Sequence, residues 1–225
     1  MLTAKKSVLF KRFFSIYNRN LIKRRFHSFQ VLGLSEFNKL NLQIPLVIYA
    51  NHSSWWDGLV AFEISRKANL DGFIVMEERQ LKRLFLFRLL GAFSVNRENP
   101  REAIKTINYA VEILEEIPSR TIWIFPQGKT LPNDQRPIYF YNGLSKIIEK
   151  VRKVQIIPIA IRYEFLNEFK PEIFAKIGRI QLIEVDKDFA PKKMTENLAG
   201  TLTEILDKLK EEIVTENFGG FEKII

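Results

Sequence analysis

Pro45-Leu46-Val47-Ile48-Tyr49-Ala50-Asn51-His52-Ser53-Ser54-Trp55-Trp56-Asp57 passes from an unbroken apolar run, through a polar cluster, into the start of a helical pattern. Leu46 to Tyr49 is short, rich in β-formers and apolar at every position, which predicts a strand buried on both faces. The next residues, Asn51 to Ser54, end it. A helix from Trp55 to Lys67 should follow, with Ser53 or Ser54 as its cap and Leu59, Val60, Phe62 and Ile64 as its apolar contacts.

Working outward, the same alternation recurs. Strands are expected at Gly72–Met76, Ala92–Val95, Thr121–Phe125 and Val154–Ile161. Helices are expected near Gln80–Leu90, at Pro100–Glu116, around Gly143–Arg152 and over Pro191–Thr215, the last with Leu198, Leu202, Ile205 and Leu209 on one face. Alternating strands and helices predict an α/β fold, one domain with a mixed, mostly parallel sheet flanked by helices. Pro158 inside its strand predicts an edge or a bulge. Phe174–Ile177 and Ile180–Val185, joined at Gly178, suggest a hairpin.

The 225 residues suffice for one domain with a sizeable core, and 46% hydrophobic with 27% charged residues exclude disorder and fibrous classes. No cysteine is present, which removes disulfides, thiolate metal sites and a cysteine nucleophile. With His27 and His52 as the only histidines, a multi-histidine metal site is excluded too.

The net charge of +9 is concentrated at one end. Lys5, Lys6, Lys11, Arg12, Arg19, Lys23, Arg24 and Arg25 precede the first carboxylate, Glu36, so the remainder is close to neutral. At 100° per residue, Leu9, Phe10, Phe13, Phe14, Ile16, Tyr17 and Leu21 share one arc, opposite Lys11, Arg12, Arg19 and Lys23. Residues 1–35 therefore read as a basic amphipathic arm and 36–225 as the body. Such a helix either lies in a lipid headgroup region or packs its apolar stripe on the protein's own core. Nucleic acid is not an expected partner, because no binding motif accompanies the basic arm. No run is long and apolar enough to span a bilayer, and the N-terminus does not form a secretory signal.

His52 and Asp57 stand five residues apart across a strand-to-helix turn, where α/β sheets place ligands. A histidine whose other nitrogen is bonded to a carboxylate can take a proton from a hydroxyl at neutral pH. Alternatively, His52 bonds a backbone carbonyl and Asp57 merely favours a helix N-terminus. The order of the other pieces bears on the choice. Asn51-His52-x-Ser54-x-x-Asp57, then Gly91-Ala92-Phe93-Ser94-Val95-Asn96-Arg97, then Phe125-Pro126-Gln127-Gly128, then Ile157-Pro158-Ile159-Ala160 resembles the four blocks of the glycerophospholipid acyltransferase family, over roughly residues 44–162.

The resemblance implies transfer of a fatty acyl group from acyl-CoA or acyl carrier protein to a lipid hydroxyl, with no metal, no cofactor and no covalent acyl-enzyme. It implies a peripheral membrane protein on the cytoplasmic face, with membrane lipid and an acyl thioester donor as partners. His52 would be the general base, Asp57 its orienting partner, and Asn51 and Ser54 would hold the turn. Gly91, Arg97, Pro126, Gln127, Gly128 and Lys129 would bind substrate, Arg97 as the guanidinium that contacts the acceptor's phosphate in relatives. On its residues alone, Arg97 is equally a surface arginine beside Glu98.

The third block departs from the family, whose members acting on glycerol phosphates usually read Phe-Pro-Glu-Gly-Thr-Arg. Gln127 replaces the acid and Lys129-Thr130 the Thr-Arg pair. The departure favours a neutral hydroxyl acceptor, such as a glycolipid or glycosylated carotenoid, alongside lysophospholipids, with Gln127 bonding the hydroxyl. Trp55, Trp56 and Trp123 read as either channel-lining or core residues. The alternative function is a catalytically inactive lipid-binding or membrane-surface scaffold.

Overall fold

The computed structural model describes all 225 residues. Leu46–Ala50 (β2) is buried at every position, with Val47 and Tyr49 on one face and Leu46, Ile48 and Ala50 on the other. It lies at the middle of a nine-stranded sheet. Around it are Asp71–Glu77 (β3), Ala92–Val95 (β4), Arg120–Ile124 (β5) and Lys153–Glu164 (β6), in the order β4-β3-β5-β2-β6 and all parallel. Because these strands run together, the segments after β2, β4 and β5 emerge along one edge. The helices Val8–Arg25 (α1) and Asp57–Lys67 (α2) cover one face. Pro100–Glu116 (α4), Gly143–Val151 (α5) and Pro191–Val214 (α6) cover the other. The fold is α/β with a mostly parallel mixed sheet, as the alternation predicts.

Four local expectations are corrected. Helix α2 starts at Asp57, two residues late, and neither serine caps it. Ser54 Oγ accepts from Trp56 N–H at 3.3 Å instead, because the amides of Ser53 and Ser54 already turn toward Asp57. The helix expected at Gln80–Leu90 is two pieces, Glu78–Arg83 (α3) and a 3₁₀ segment at Phe85–Leu90. Two of the second piece's carbonyls, Arg88 and Leu89, accept from Lys5 and Ser7 at 2.8 and 2.9 Å.

The expected hairpin does not form. Glu172–Ile177 (β7) and Gln181–Glu184 (β8) both run antiparallel to β6, one after the other along the same strand. Three residues, Gly178 to Ile180, stand opposite Ile157 and Pro158 of β6. That extra residue is the bulge Pro158 predicts, while the edge is excluded because β6 has partners on both sides. Gly178 is required there: a Cβ would fall 2.7 Å from the Pro158 ring and 2.5 Å from Ile205.

Phe29–Leu32 (β1) pairs with β7, and Phe221–Lys223 (β9) pairs with β1, so the sheet draws in the end of the basic segment. Helix α1 turns Phe14, Asn18 and Ile22 inward. Asn18 is a buried polar residue with a purpose, since its Nδ2 donates to the Leu59 carbonyl at 3.2 Å and ties α1 to α2. Phe10 and Leu21 are half-buried, and the outer part of the arc faces outward, with Leu9 80%, Phe13 63% and Ile16 67% exposed. No helix is long and apolar enough to cross a membrane.

Candidate active site

The chain after β2 turns sharply and Asp57 gathers the turn around itself. Its carboxylate is fully buried. Oδ2 accepts from Ser53 N–H at 2.7 Å, from Ser54 N–H at 2.9 Å and stands 2.7 Å from His52 Nδ1. Oδ1 accepts from the Tyr163 hydroxyl at 2.6 Å. A buried carboxylate held by this many donors is fixed in place. The bond to Asp57 places the imidazole proton on Nδ1 and leaves the Nε2 lone pair free.

Two further groups hold the histidine. Its ring stacks on Phe125, centroids 4.8 Å apart, and its backbone N–H donates to Gln127 Oε1 at 2.7 Å. Asn51 pins the turn to β6, since Oδ1 accepts from Ile161 N–H and Nδ2 donates to the Ile161 carbonyl, both at 2.8 Å. In effect the Asn51 amide continues the sheet ladder one residue beyond the end of β2.

His52 faces a cavity of about 700 Å³ that passes between α2 and strands β3 and β5. Gly58, Ala61, Phe62 and Ser65 of α2 form one wall, and Gly72 and Trp123 lie at the sheet. Most of the lining is apolar, and charge collects around it as Lys11, Arg66, Glu77, Arg97, Lys129 and Lys146. Trp123 belongs both to the buried core, with its Nε1 donating to Ser65 Oγ at 2.8 Å, and to the cavity wall. Trp55 is exposed beside the cavity, while Trp56 turns away to pack edge-on against Phe26.

Of the residues singled out from the sequence, His52, Arg97, Pro126, Gly128 and Lys129 line the cavity. Arg97 is already engaged: Nε and Nη2 donate to Glu77 Oε2 at 3.2 and 3.1 Å, and the guanidinium lies 5.1 Å from the Tyr141 ring centroid. Gly128 permits this approach, since a Cβ there would fall 2.0 Å from Arg97 Nη1.

Asn51, Ser54 and Gln127 are set back from the cavity. Gln127 Oε1 accepts from the His52 backbone N–H, so this side chain supports the histidine from behind. Gly91, with φ of 106°, closes the 3₁₀ segment against the Gly72 carbonyl and does not reach the cavity. Two site residues were not foreseen, Glu77 and Tyr163. Glu77 ends a strand whose neighbour leads to Arg97, a juxtaposition only the pairing of β3 with β4 reveals.

The fold thus sets a histidine, paired with a buried carboxylate at 2.7 Å, beside a mostly apolar chamber. An acyltransferase family model matches residues 28–162, more than half of the sequence, and the chain belongs to that family, the glycerophospholipid acyltransferases. A comparison with curated proteins gives no match.

Proposed function

We propose that this acyltransferase moves a fatty acyl group from an acyl thioester, on CoA or on acyl carrier protein, to a hydroxyl of a membrane lipid. The observation that carries the reading is the His52–Asp57 pair, 2.7 Å apart, at an apolar cavity of about 700 Å³. The cavity suits an acyl chain and the free Nε2 suits the acceptor hydroxyl. In the reaction His52 Nε2 removes the hydroxyl proton as oxygen attacks the thioester carbonyl. The new C–O bond forms, the C–S bond breaks, and the proton passes from Nε2 to the departing thiolate. Asp57 stabilises the imidazolium between these steps. The chemistry needs no cofactor and no covalent acyl-enzyme.

The acceptor reading rests on Arg97 in particular. It offers a cation to a phosphate, but Glu77 balances it, which supports a neutral or weakly anionic hydroxyl lipid, a glycolipid or a lysophospholipid, over a phosphomonoester. Membrane delivery is supported by α1. Its exposed Leu9, Phe13 and Ile16 are flanked by Arg12, Arg19 and Lys23, which make no ion pairs, and its inner residues Lys11 and Phe14 line the cavity. The protein would work from the cytoplasmic face, where acyl thioesters are found.

The test incubates purified protein with isotopically labelled acyl-CoA or acyl carrier protein and, at matched concentration, lysophosphatidate, a neutral lysophospholipid or a glycolipid. Label should enter a hydroxyl lipid, and Glu77→Gln should shift preference toward lysophosphatidate several-fold by freeing Arg97. Label in free fatty acid alone, or in no product, would overturn the reading.

A further inference from the structure

We infer that Tyr163 is a third member of the catalytic constellation, a positioning residue that acts on His52 through Asp57. The inference rests on the acyl-transfer reading for its kinetic half and on geometry alone for the rest.

Tyr163 lies 106 residues from Asp57, on the part of β6 that projects beyond β2. β2 and β6 are paired as far as Ala50 and Ile159, and from there Asn51 holds Ile161 with its side chain. Side chains alternate along a strand, so Tyr163 stands on the same face as Ile161, two residues nearer the strand's end. Its ring packs on Phe26, the residue that closes α1, at 5.8 Å between centroids, and β7 fixes its backbone opposite Ile173. The hydroxyl then points at Asp57 Oδ1 at 2.6 Å.

The chemistry of this bond is directional. The phenol is held in its protonated form, its ionisation pushed well above the ordinary range by burial and then by the neighbouring Asp57 charge. It is therefore the donor and Asp57 the acceptor. It is the only group bonded to Oδ1, whereas Oδ2 holds His52 and two backbone amides. Tyr163 thus locks the carboxylate's rotation about its own bond so that Oδ2 faces Nδ1. It also draws negative charge away from the oxygen that meets the imidazole. A carboxylate relieved of that donor holds the imidazolium more tightly, so the ring gives up its proton only at higher pH. The other charged groups around the cavity are Lys11 from α1, Arg66 from α2, Glu77 at the end of β3, Arg97 after β4, Lys129 after β5 and Lys146 on α5. None lies within ion-pair distance of the imidazole. Tyr163 is the change at this pair that can be made without altering a charge.

The experiment compares wild type with Tyr163→Phe, which keeps the ring and its packing on Phe26 and removes only the hydroxyl. Two readouts are taken: the ring resonances of His52 followed through a pH titration by NMR, and kcat and KM for acyl transfer. The chain has two histidines, and His52→Ala identifies His27, so the assignment is direct. The expected result is an upward move of the His52 titration midpoint in Tyr163→Phe, with kcat lowered about tenfold and KM for both substrates unchanged. The acidic limb of the rate profile should move in the same direction. An unchanged His52 titration overturns the inference, whatever the turnover. If the titration moves but wild type transfers no acyl group, Tyr163 retains its role and the acyl-transfer reading fails instead.

Discussion

Asp57 receives four hydrogen bonds, and only one of them is legible from local sequence. That His52 and Asp57 approach across a strand-to-helix turn follows from their spacing. The donation by Ser53 and Ser54 amides follows from the tightness of the turn, and the bond from Tyr163 depends on the parallel pairing of β2 with β6, which no local pattern encodes. Replacing Asp57 with Asn removes the charge that fixes the tautomer of His52 and should lower kcat by about 10²–10⁴-fold while the melting temperature changes far less. The role of Gln127 is likewise not legible from local sequence. Its amide looks suited to a substrate hydroxyl, but it lies beneath the His52 backbone. Gln127→Leu should therefore lower kcat by leaving the His52 amide unpaired, and Gln127→Glu, which retains an acceptor oxygen, should recover most of the loss. If Gln127→Leu instead raised only the KM for acceptor, the residue would have to face the substrate after all.

At the scale of elements, most helices and strands with a sustained period were readable to within a residue or two, while β6 runs three residues past the expected Ile161, into the part that carries Tyr163. Pro100–Glu116 and Ala92–Val95 have the bounds expected from caps and turn residues, with Asn99 accepting from Arg101 and Glu102 as N-cap. Short strands paired far along the chain were not. Phe29–Leu32 and Phe221–Lys223 are four and three residues long and exist because β7 offers an edge to the first and the first offers one to the second, a fact outside their own sequence. The hairpin was misread for the same reason, since Gly178 marks a bulge as readily as a turn. Helix α2 supplies an element-scale test of the cavity. Gly58 lines it, and a Cβ there meets nothing within 4 Å. Gly58→Leu should stabilise the fold by about 0.5–1 kcal/mol through helix propensity. It should also reduce transfer of long acyl chains more than short ones. Thermal unfolding and a chain-length series measure the two effects independently, and an unchanged chain preference would place the acyl group elsewhere.

The whole molecule presents one rim to its substrates, because five parallel strands deliver their carboxyl ends to a single edge. Helix α1 packs on α2 over one face of the sheet, with its Leu9-Phe13-Ile16 side exposed. Deleting the helix would strip Phe14 and Ile22 from the core, so the informative change is Leu9, Phe13 and Ile16 together to Ser. The triple variant should stay folded and lose several-fold in sedimentation with anionic vesicles, and salt should weaken binding of the wild type by screening its cations. Equal sedimentation of both proteins would remove α1 from the membrane contact. Acidification acts on a different part. Lys39 holds Glu36 below the usual carboxylate range, Lys105 and the N-terminus hold Glu102 down to about 2, and Arg162 and Lys210 hold Asp134 low. Folded-state values below unfolded ones mean that these contributions are present above the unfolded values and lost as pH falls through the folded ones. Stability should decline between about pH 4.5 and 2, readable as a falling melting temperature, as the ties of Glu36, Glu102 and Asp134 are lost.

The proposed reaction turns on Nε2 of His52 as the base that activates a lipid hydroxyl. The most direct measurement is transfer of a labelled acyl group from thioester to lipid by purified wild type and His52→Ala at equal, verified folding. Wild type should form the acylated lipid, and His52→Ala should lose it by at least about 10²-fold with the fold intact. Transfer at the wild-type rate by folded His52→Ala would contradict this role for His52.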